Sequence, residues 1–151
     1  MNEIIRIVRS NASHIDGIYE IEKTVFTVPW SKHSLYQDIV ENMLAFYVTA
    51  LSGKQERVAG YGGMWMVEDE AHITNIAVHK DYRRCGVGSA VLNTLIEKCK
   101  NNGIRYMSLE VRVSNIIAQQ LYQKFGFQAE GIRKRYYSDN HEDAYIMWKY
   151  L

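Results

Sequence analysis

The chain has 151 residues, 47% of them hydrophobic, and its 18 Lys and Arg against 17 Asp and Glu leave a formal net charge of +1. That size and apolar share suit a single domain, residues 1–151, with a real core, and the charge balance excludes the basic footprint of a general nucleic-acid binder. Mean hydropathy is −0.28, no apolar run approaches the ~18–20 residues that cross a bilayer, and the start Met1–Arg6 has no apolar stretch of signal-peptide length, so the expectation is a cytoplasmic protein with neither a nucleic-acid nor a membrane partner.

Ile5 and Ile7 alternate with polar residues and predict a short first strand. Ser13, with Asp16 three residues on, predicts the start of a helix carrying Ile18, Ile21 and Val25 on one face. Pro29-Trp30 ends it, and Ser31 is placed to cap a second helix holding Leu35 and Ile39. Three strand-like runs follow, Ala45 to Leu51, Arg57 to Val67 and Ala71 to Val78, with turns at Gly53-Lys54 and Glu68-Asp69-Glu70; they read as an antiparallel meander. Val87, Val91, Leu95 and Ile96 then recur at helical spacing up to a terminator, Gly103. Met107 to Val113 alternates with period two and puts Glu110 and Arg112 on one face. Ser114-Asn115 leads into a helix with Ile117, Leu121 and Phe125 in line, ended by Gly126. Two last strands flank Ser138-Asp139-Asn140. The predicted order is β-α-α-β-β-β-α-β-α-β-β, an α/β (α+β) arrangement whose mixed, mostly antiparallel seven-stranded sheet carries four helices.

The stretch Asn75 to Ser89 carries the most information. A buried strand ends at Val78, a polar turn follows, and Gly86 and Gly88 sit where the next helix begins. Glycine lets backbone N–H groups approach an anion, the helix N-terminus adds about half a positive charge, and Arg83 and Arg84 add two fixed cations. A glycine turn with two solvated arginines is the plain alternative. The loop is no Walker motif, because no Gly-Lys-Ser/Thr follows, and no dinucleotide fingerprint, because position 91 is Val91.

Arg83-x-x-Gly86-x-Gly88 after Ile76-Ala77-Val78 resembles the acyl-CoA signature of the GCN5-related N-acetyltransferase superfamily. The resemblance implies the fold of that superfamily and acetyl-CoA as cosubstrate. Its pyrophosphate would lie on the backbone from Arg84 through Cys85, Gly86, Val87 and Gly88 to Ser89, and its pantetheine arm would add to the Ala71–Val78 strand as an extra strand does. Leu109 to Asn115, then Ala118, Leu121-Tyr122, Phe125-Gly126-Phe127 and the tail from Gly131 to Met147, together with Pro29-Trp30-Ser31, resemble the RimI-type branch. Members of that branch acetylate the N-terminal alanine of a small-subunit ribosomal protein, protein eighteen. The implied acceptor partner is therefore a protein N-terminus, and the implied unit a monomer or weak homodimer.

An amine attacks a thioester only when neutral, so a group must take its proton, and a weak acid eases departure of the thiolate. By resemblance Glu110 is the general base, through water, and Tyr122 the general acid. Read alone, Glu110 is an ordinary solvated carboxylate on the polar face of its strand and Tyr122 a core or boundary aromatic; their 12-residue spacing around Ser114-Asn115 lifts the pair above those readings. Asn115 caps the next helix, contacts the cofactor by resemblance, or does both. Cys85 has no base beside it, so direct transfer is expected rather than an acyl-enzyme. Trp30 and Tyr137 are the candidate walls of the acceptor entrance, with plain packing as the alternative, and Arg133-Lys134-Arg135 is either part of that entrance or a solvated edge. An α-amino group, with a pKa of roughly 7.7–8.0 against ~10.4 for lysine, is the easier acceptor by on the order of 3.5 kcal/mol. Acetylation of another amine (protein lysine, polyamine or antibiotic) and a noncatalytic acyl-CoA-binding module remain as alternatives. His72 reaches the cleft from its strand or is a hydrogen-bonded structural histidine. The five histidines and the two cysteines, Cys85 and Cys99, lack metal-ligand spacing, so no metal is assigned.

Overall fold

A computed structural model describes residues 4–151, so Met1 to Glu3, half of the chain start read above, lie outside the described residues. The elements are β1 (Ile5–Arg9), α1 (Ile15–Val25), α2 (Lys32–Tyr36), β2 (Ala45–Ser52), β3 (Arg57–Val67), β4 (Glu70–Val78), α3 (Val87–Asn101), β5 (Tyr106–Arg112), α4 (Ile116–Lys124), β6 (Gln128–Arg133) and β7 (Ala144–Tyr150). The order of strands and helices is the expected one. One seven-stranded sheet runs β1-β2-β3-β4-β5-β7-β6. Every neighbouring pair is antiparallel except β4 and β5, which are parallel.

Two helix starts follow their capping residues. Ser31 accepts the Ser34 N–H at 3.0 Å and opens α2, and Asn115 accepts the Ala118 N–H at 3.1 Å and opens α4. The first helix differs from expectation. Asn11, extended at φ −139°, is the cap that accepts the Ser13 N–H, and a 3-10 turn over Ala12–His14 precedes α1. A cap must itself be extended; Asn11 is, whereas Ser13 lies inside the 3-10 turn. After α2 the backbone widens into a π turn over Gln37–Glu41, closed by the Asn42 N–H on Gln37 O at 2.8 Å, and Asp38 in this turn is buried.

Alternating strand residues feed two cores. Phe46, Val48, Met64 and Ile73 pack with Val91, Leu92 and Leu95 of α3, with Ala118 and Leu121 of α4, and with Phe125 at the end of that helix. Ala45, Tyr47, Tyr61 and Ala77 pack with Ile18 and Ile21 of α1 and Leu35 of α2 on the other side. Each fully buried Ile, Leu or Val contributes roughly 1.5–3 kcal/mol. The apolar line expected on α4 is shifted: Ile117 is 81% exposed, and Ala118 with Tyr122 takes the inward position beside Leu121 and Phe125. Gly62 and Gly63 of β3 allow both layers to sit close, since a Cβ on Gly62 would strike Val91 and one on Gly63 would strike the Tyr47 ring.

The sheet forks in its middle. Parallel pairing covers only Glu70–Tyr106, Ala71–Met107 and His72–Ser108. At the next residues of β4 a bulge appears: Met64 of β3 pairs with Ile73 and Gly63 with Asn75, leaving Thr74 as the extra residue. A bulge bends its strand and increases its twist. From Ile73 onward β4 pairs, among the described residues, with β3 alone, while β5 continues against β7.

Candidate active site

A cavity of about 660 Å3 occupies the fork. It is lined by His72 to Ile76 of β4, Leu109 to Arg112 of β5, Asn115 and Tyr122 of α4, the loop from Phe26 to Trp30, and Tyr136 to Asp139. Five of the predicted site residues (Trp30, Glu110, Asn115, Tyr122 and Tyr137), with Ile76, are thereby brought to one space although they span more than half the chain.

Glu110 follows Ser108 on the same face of β5, because side chains alternate along a strand. Its side chain is 9% exposed, and each carboxylate oxygen has a protein partner: His72 Nε2 lies 2.9 Å from Oε2 and Arg133 Nε 3.1 Å from Oε1. Burial alone would raise this carboxyl, but the hydrogen bond from His72, the charge of that ring whenever it is protonated, and then the charge and hydrogen bond of Arg133 outweigh it and hold Glu110 below the ordinary range. It is an ionised acceptor of protons at neutral pH. The bare alternative of a freely solvated carboxylate is overturned. Arg133, read as entrance or solvated edge, is the exposed partner of Glu110.

Tyr122 packs edge to face on Phe127 at 6.0 Å. Burial, with a smaller contribution from Tyr137, pushes its phenol up to about 12, so it remains a donor across the physiological range. It is both a core-facing aromatic of α4 and a wall of the cavity.

The glycine loop stands apart from the cavity lining and runs into α3. Gly86 holds φ +79° and Arg84 φ +62°. An added Cβ on Gly86 would meet nothing, so nothing covers the backbone there. Arg83, Arg84 and Cys85 are exposed, Val87 is buried, and Gly88 and Ser89 are half-buried at the first turn of α3. The first N–H groups of a helix lack intrahelical partners, and α3 with 15 residues has a full terminal dipole. Ile76 and Val78 flank Ala77 on alternating sides: Ala77 packs toward α1, while Ile76 and Val78 pack toward α3. An unpaired strand edge leading to these amides fits an extended arm that ends in a diphosphate.

The two predicted walls have firm supports. Trp30 joins the core under α1 while lining the cavity, and its backbone N–H donates to Glu22 Oε2 at 2.9 Å. Glu22 is 1% exposed and also accepts from Tyr61 and from Asn75 Nδ2 at 3.0 Å. Asn75 accepts from Thr74, which contacts Tyr47, and Tyr47 donates to the buried Asp38. A continuous polar chain thus runs from the π turn to the Trp30 loop. Sequence reading missed it, since its members are spread from residue 22 to residue 75 without periodic signal. On the opposite wall Asp139 lines the same cavity as Thr27 of the Trp30 loop.

Residues 15–127 match the model of the Acetyltransferase (GNAT) family. A Bacillus subtilis (strain 168) protein, named provisionally as a [ribosomal protein bS18]-alanine N-acetyltransferase, is 51% identical over 134 residues, covering 89% of this chain and 87% of its own. The crystal structure of the ribosomal-protein-S18-alanine N-acetyltransferase from Escherichia coli superposes with a TM-score of 0.88 at 31% identity, over 98% of this chain and 94% of that one. The fold is shared by NAA60 of Arabidopsis thaliana in complex with acetyl-CoA, at a TM-score of 0.86 and 18% identity over 98% and 99% of the two chains. Acetyl-CoA is the acetyl donor of such enzymes. A family model covering most of the chain, and a relative identical at half of the aligned positions, lead to one conclusion: the chain belongs to the GNAT acetyltransferase family.

Proposed function

We propose that this chain transfers the acetyl group of acetyl-CoA to the amine of the N-terminal alanine of ribosomal protein bS18, by direct attack within a ternary complex. The observation that carries this reading is that one cavity at the fork is lined at once by a held carboxylate, a protonated phenol and two aromatic walls. The names of the relatives at 51% and 31% identity agree with that acceptor. A bacterial cytoplasmic setting, with a monomer or weak homodimer as the acting unit, goes with the same reading.

The backbone of Ile76, Ala77 and Val78 would hold the extended arm of the donor. The amides from Arg84 to Ser89, with the Arg83 and Arg84 side chains, would hold its diphosphate, and Asn115 would add a polar contact. The donor supplies an acyl carbon activated by sulfur. Glu110 takes a proton from the acceptor ammonium, directly or through one water. The neutral amine forms the N–C bond as the C–S bond breaks, Tyr122 gives its phenolic proton to the leaving sulfur, and the extra proton left on the acylated nitrogen returns to the Tyr122 phenolate as the amide forms, Glu110 releasing its own proton to water. Trp30 and Tyr137 line the path by which the N-terminus enters.

Mass spectrometry of reactions with two peptides tests this. One carries a free N-terminal alanine and the start of the ribosomal protein; the other has a blocked N-terminus and free lysines. A single acetyl group on the alanine amine is expected. Lysine acetylation alone would move the acceptor class, and coenzyme A binding without transfer to any amine would make the chain a noncatalytic binder.

A further inference from the structure

His72 is tied into the fork more closely than a packing residue needs to be. It forms the last parallel pair with Ser108 before β4 leaves β5. Ser108 and Glu110 face the same way, and the imidazole spans both: Nδ1 is 3.0 Å from Ser108 Oγ, and Nε2 is 2.9 Å from Glu110 Oε2. Its side chain is 39% exposed and lines the cavity that the acceptor amine must enter. A structural histidine would satisfy its nitrogens in the core; this one spends Nε2 on the carboxylate of the reaction cavity.

The hydrogen-bond partners select one tautomer of the neutral ring. An ionised carboxylate only accepts, so Nε2 carries the proton, and a neutral ring then accepts the Ser108 hydroxyl proton at Nδ1. With Arg133 on Oε1, the ring on Oε2 fixes the carboxylate plane and leaves one lone pair of each oxygen for substrate or water. Protonation of the ring adds a second cation beside Glu110 and a positive charge facing the incoming ammonium. Both effects oppose removal of the acceptor's proton.

We propose that His72 is a positioning residue of the transfer reaction, holding Glu110 in its proton-accepting orientation when neutral and switching it off when protonated. This inference rests on the reading of Glu110 as the base. The other ionisable groups around the pair, among the described residues, are Arg112 of β5, Arg133 of β6, Tyr122 of α4, Tyr136, Tyr137 and Asp139 of the β6–β7 connection, and Glu22 of α1. Imidazole is the one side-chain type among these whose charge ordinarily changes between pH 5 and 8.

The pH dependence of kcat/KM for the alanine peptide tests it, since that ratio reports ionisations of free enzyme and free substrate. The wild-type acid limb is expected to fall with a two-proton slope, one proton from the acceptor and one from His72. His72→Gln keeps a neutral N–H donor near the position of Nε2 and is expected to fall with a one-proton slope. His72→Ala loses the donor as well, and its kcat at pH 8.5 is expected at least about tenfold below that of His72→Gln. Unchanged coenzyme A binding by both variants reports that the fold persists. A His72→Gln profile that overlays the wild type, or equal kcat for the two variants, overturns the inference. Glu110→Gln, measured alongside, separates the two readings. If it retains wild-type kcat, the base assignment falls and His72 with it; if it is slow while the His72 profiles stay unchanged, only the role of His72 falls.

Discussion

The guanidinium carbon of Arg112 lies 3.9 Å from the centre of the Tyr137 ring. The same side chain donates to Asp139 at 2.8 Å, Asn140 at 3.2 Å and Glu142 at 3.3 Å. One arginine at the end of β5 therefore organises the long connection between β6 and β7, and Glu142 returns to the Ser114 N–H at 2.8 Å just before α4. Planar stacking with several directed donors is a guanidinium property that an ammonium lacks. Arg112→Lys is expected to raise the acceptor peptide's KM about tenfold, with the KM for acetyl-CoA changed by less than about twofold. Steady-state kinetics with each substrate varied in turn measures both.

Tyr122→Phe removes one oxygen and leaves the edge-to-face contact with Phe127 in place. With the phenol as proton donor, kcat is expected to fall about a hundredfold while coenzyme A binding persists. Pre-steady-state and steady-state rates must fall together, because the lost group acts in the chemical step.

At Gly86 the left-handed backbone, φ +79°, matters rather than space. Alanine there is strained by about 1 kcal/mol or turns the amides of the loop away from their present direction. Gly86→Ala is expected to weaken coenzyme A binding about fivefold or more, read by calorimetry, with a smaller effect on desulfo-coenzyme analogues that keep the diphosphate only if the loop is not the diphosphate site.

Removal of the Glu22 carboxylate strands three donors, the Tyr61 hydroxyl, the Asn75 amide and the Trp30 N–H. A buried unsatisfied donor costs about 1–3 kcal/mol, so Glu22→Ala is expected to lose about 3 kcal/mol or more of stability in urea unfolding. The Trp30 loop loses its anchor at the same time, and acceptor KM should rise in whatever fraction remains folded.

Alkali should unfold the protein before its surface charge alone would. Burial pushes the Tyr47 and Tyr61 phenols well up and the Cys99 thiol up to about 12. A hydrogen bond with Asp38 adds to the effect at Tyr47, and the charge of Glu22 adds to it at Tyr61. All three are neutral in the fold. Their contribution is whole below the unfolded values, ~8.5 for a thiol and ~10 for a phenol, and is lost as pH rises toward the folded ones. Urea midpoints should therefore fall between pH 8 and 11, and Cys99→Ala should flatten the first part of that decline.

Local chemistry made the order of elements legible. Ser31 and Asn115 cap where their side chains can reach a free N–H, and Gly103, at φ +72°, follows α3 as its spacing implied. Helix phase was harder to read. Ile117 and Ala118 are each compatible with a line through Leu121 and Phe125, and only the position of the sheet makes Ile117 the outer one. Glu110 and Tyr122 stood out through their motif, and both line the cavity. Arg133 and His72 did not stand out as partners of Glu110, because contacts across 23 and 38 residues leave no periodic trace in the chain; they depend on β5, β7 and β6 lying side by side and on the point where β4 departs.

The fork also resolves a hazard common to β proteins. An unpaired strand edge invites pairing with another chain, and proteins usually blunt it at the rim of the sheet. Here the open edge of β4 lies in the interior of the strand order, with β5 and β7 beyond it. A second sheet could pair with it only by entering between β4 and β5, whereas a single extended ligand adds to it as one more strand. The edge is thereby kept from the rim of the sheet, where the edge-to-edge association that leads to aggregates begins.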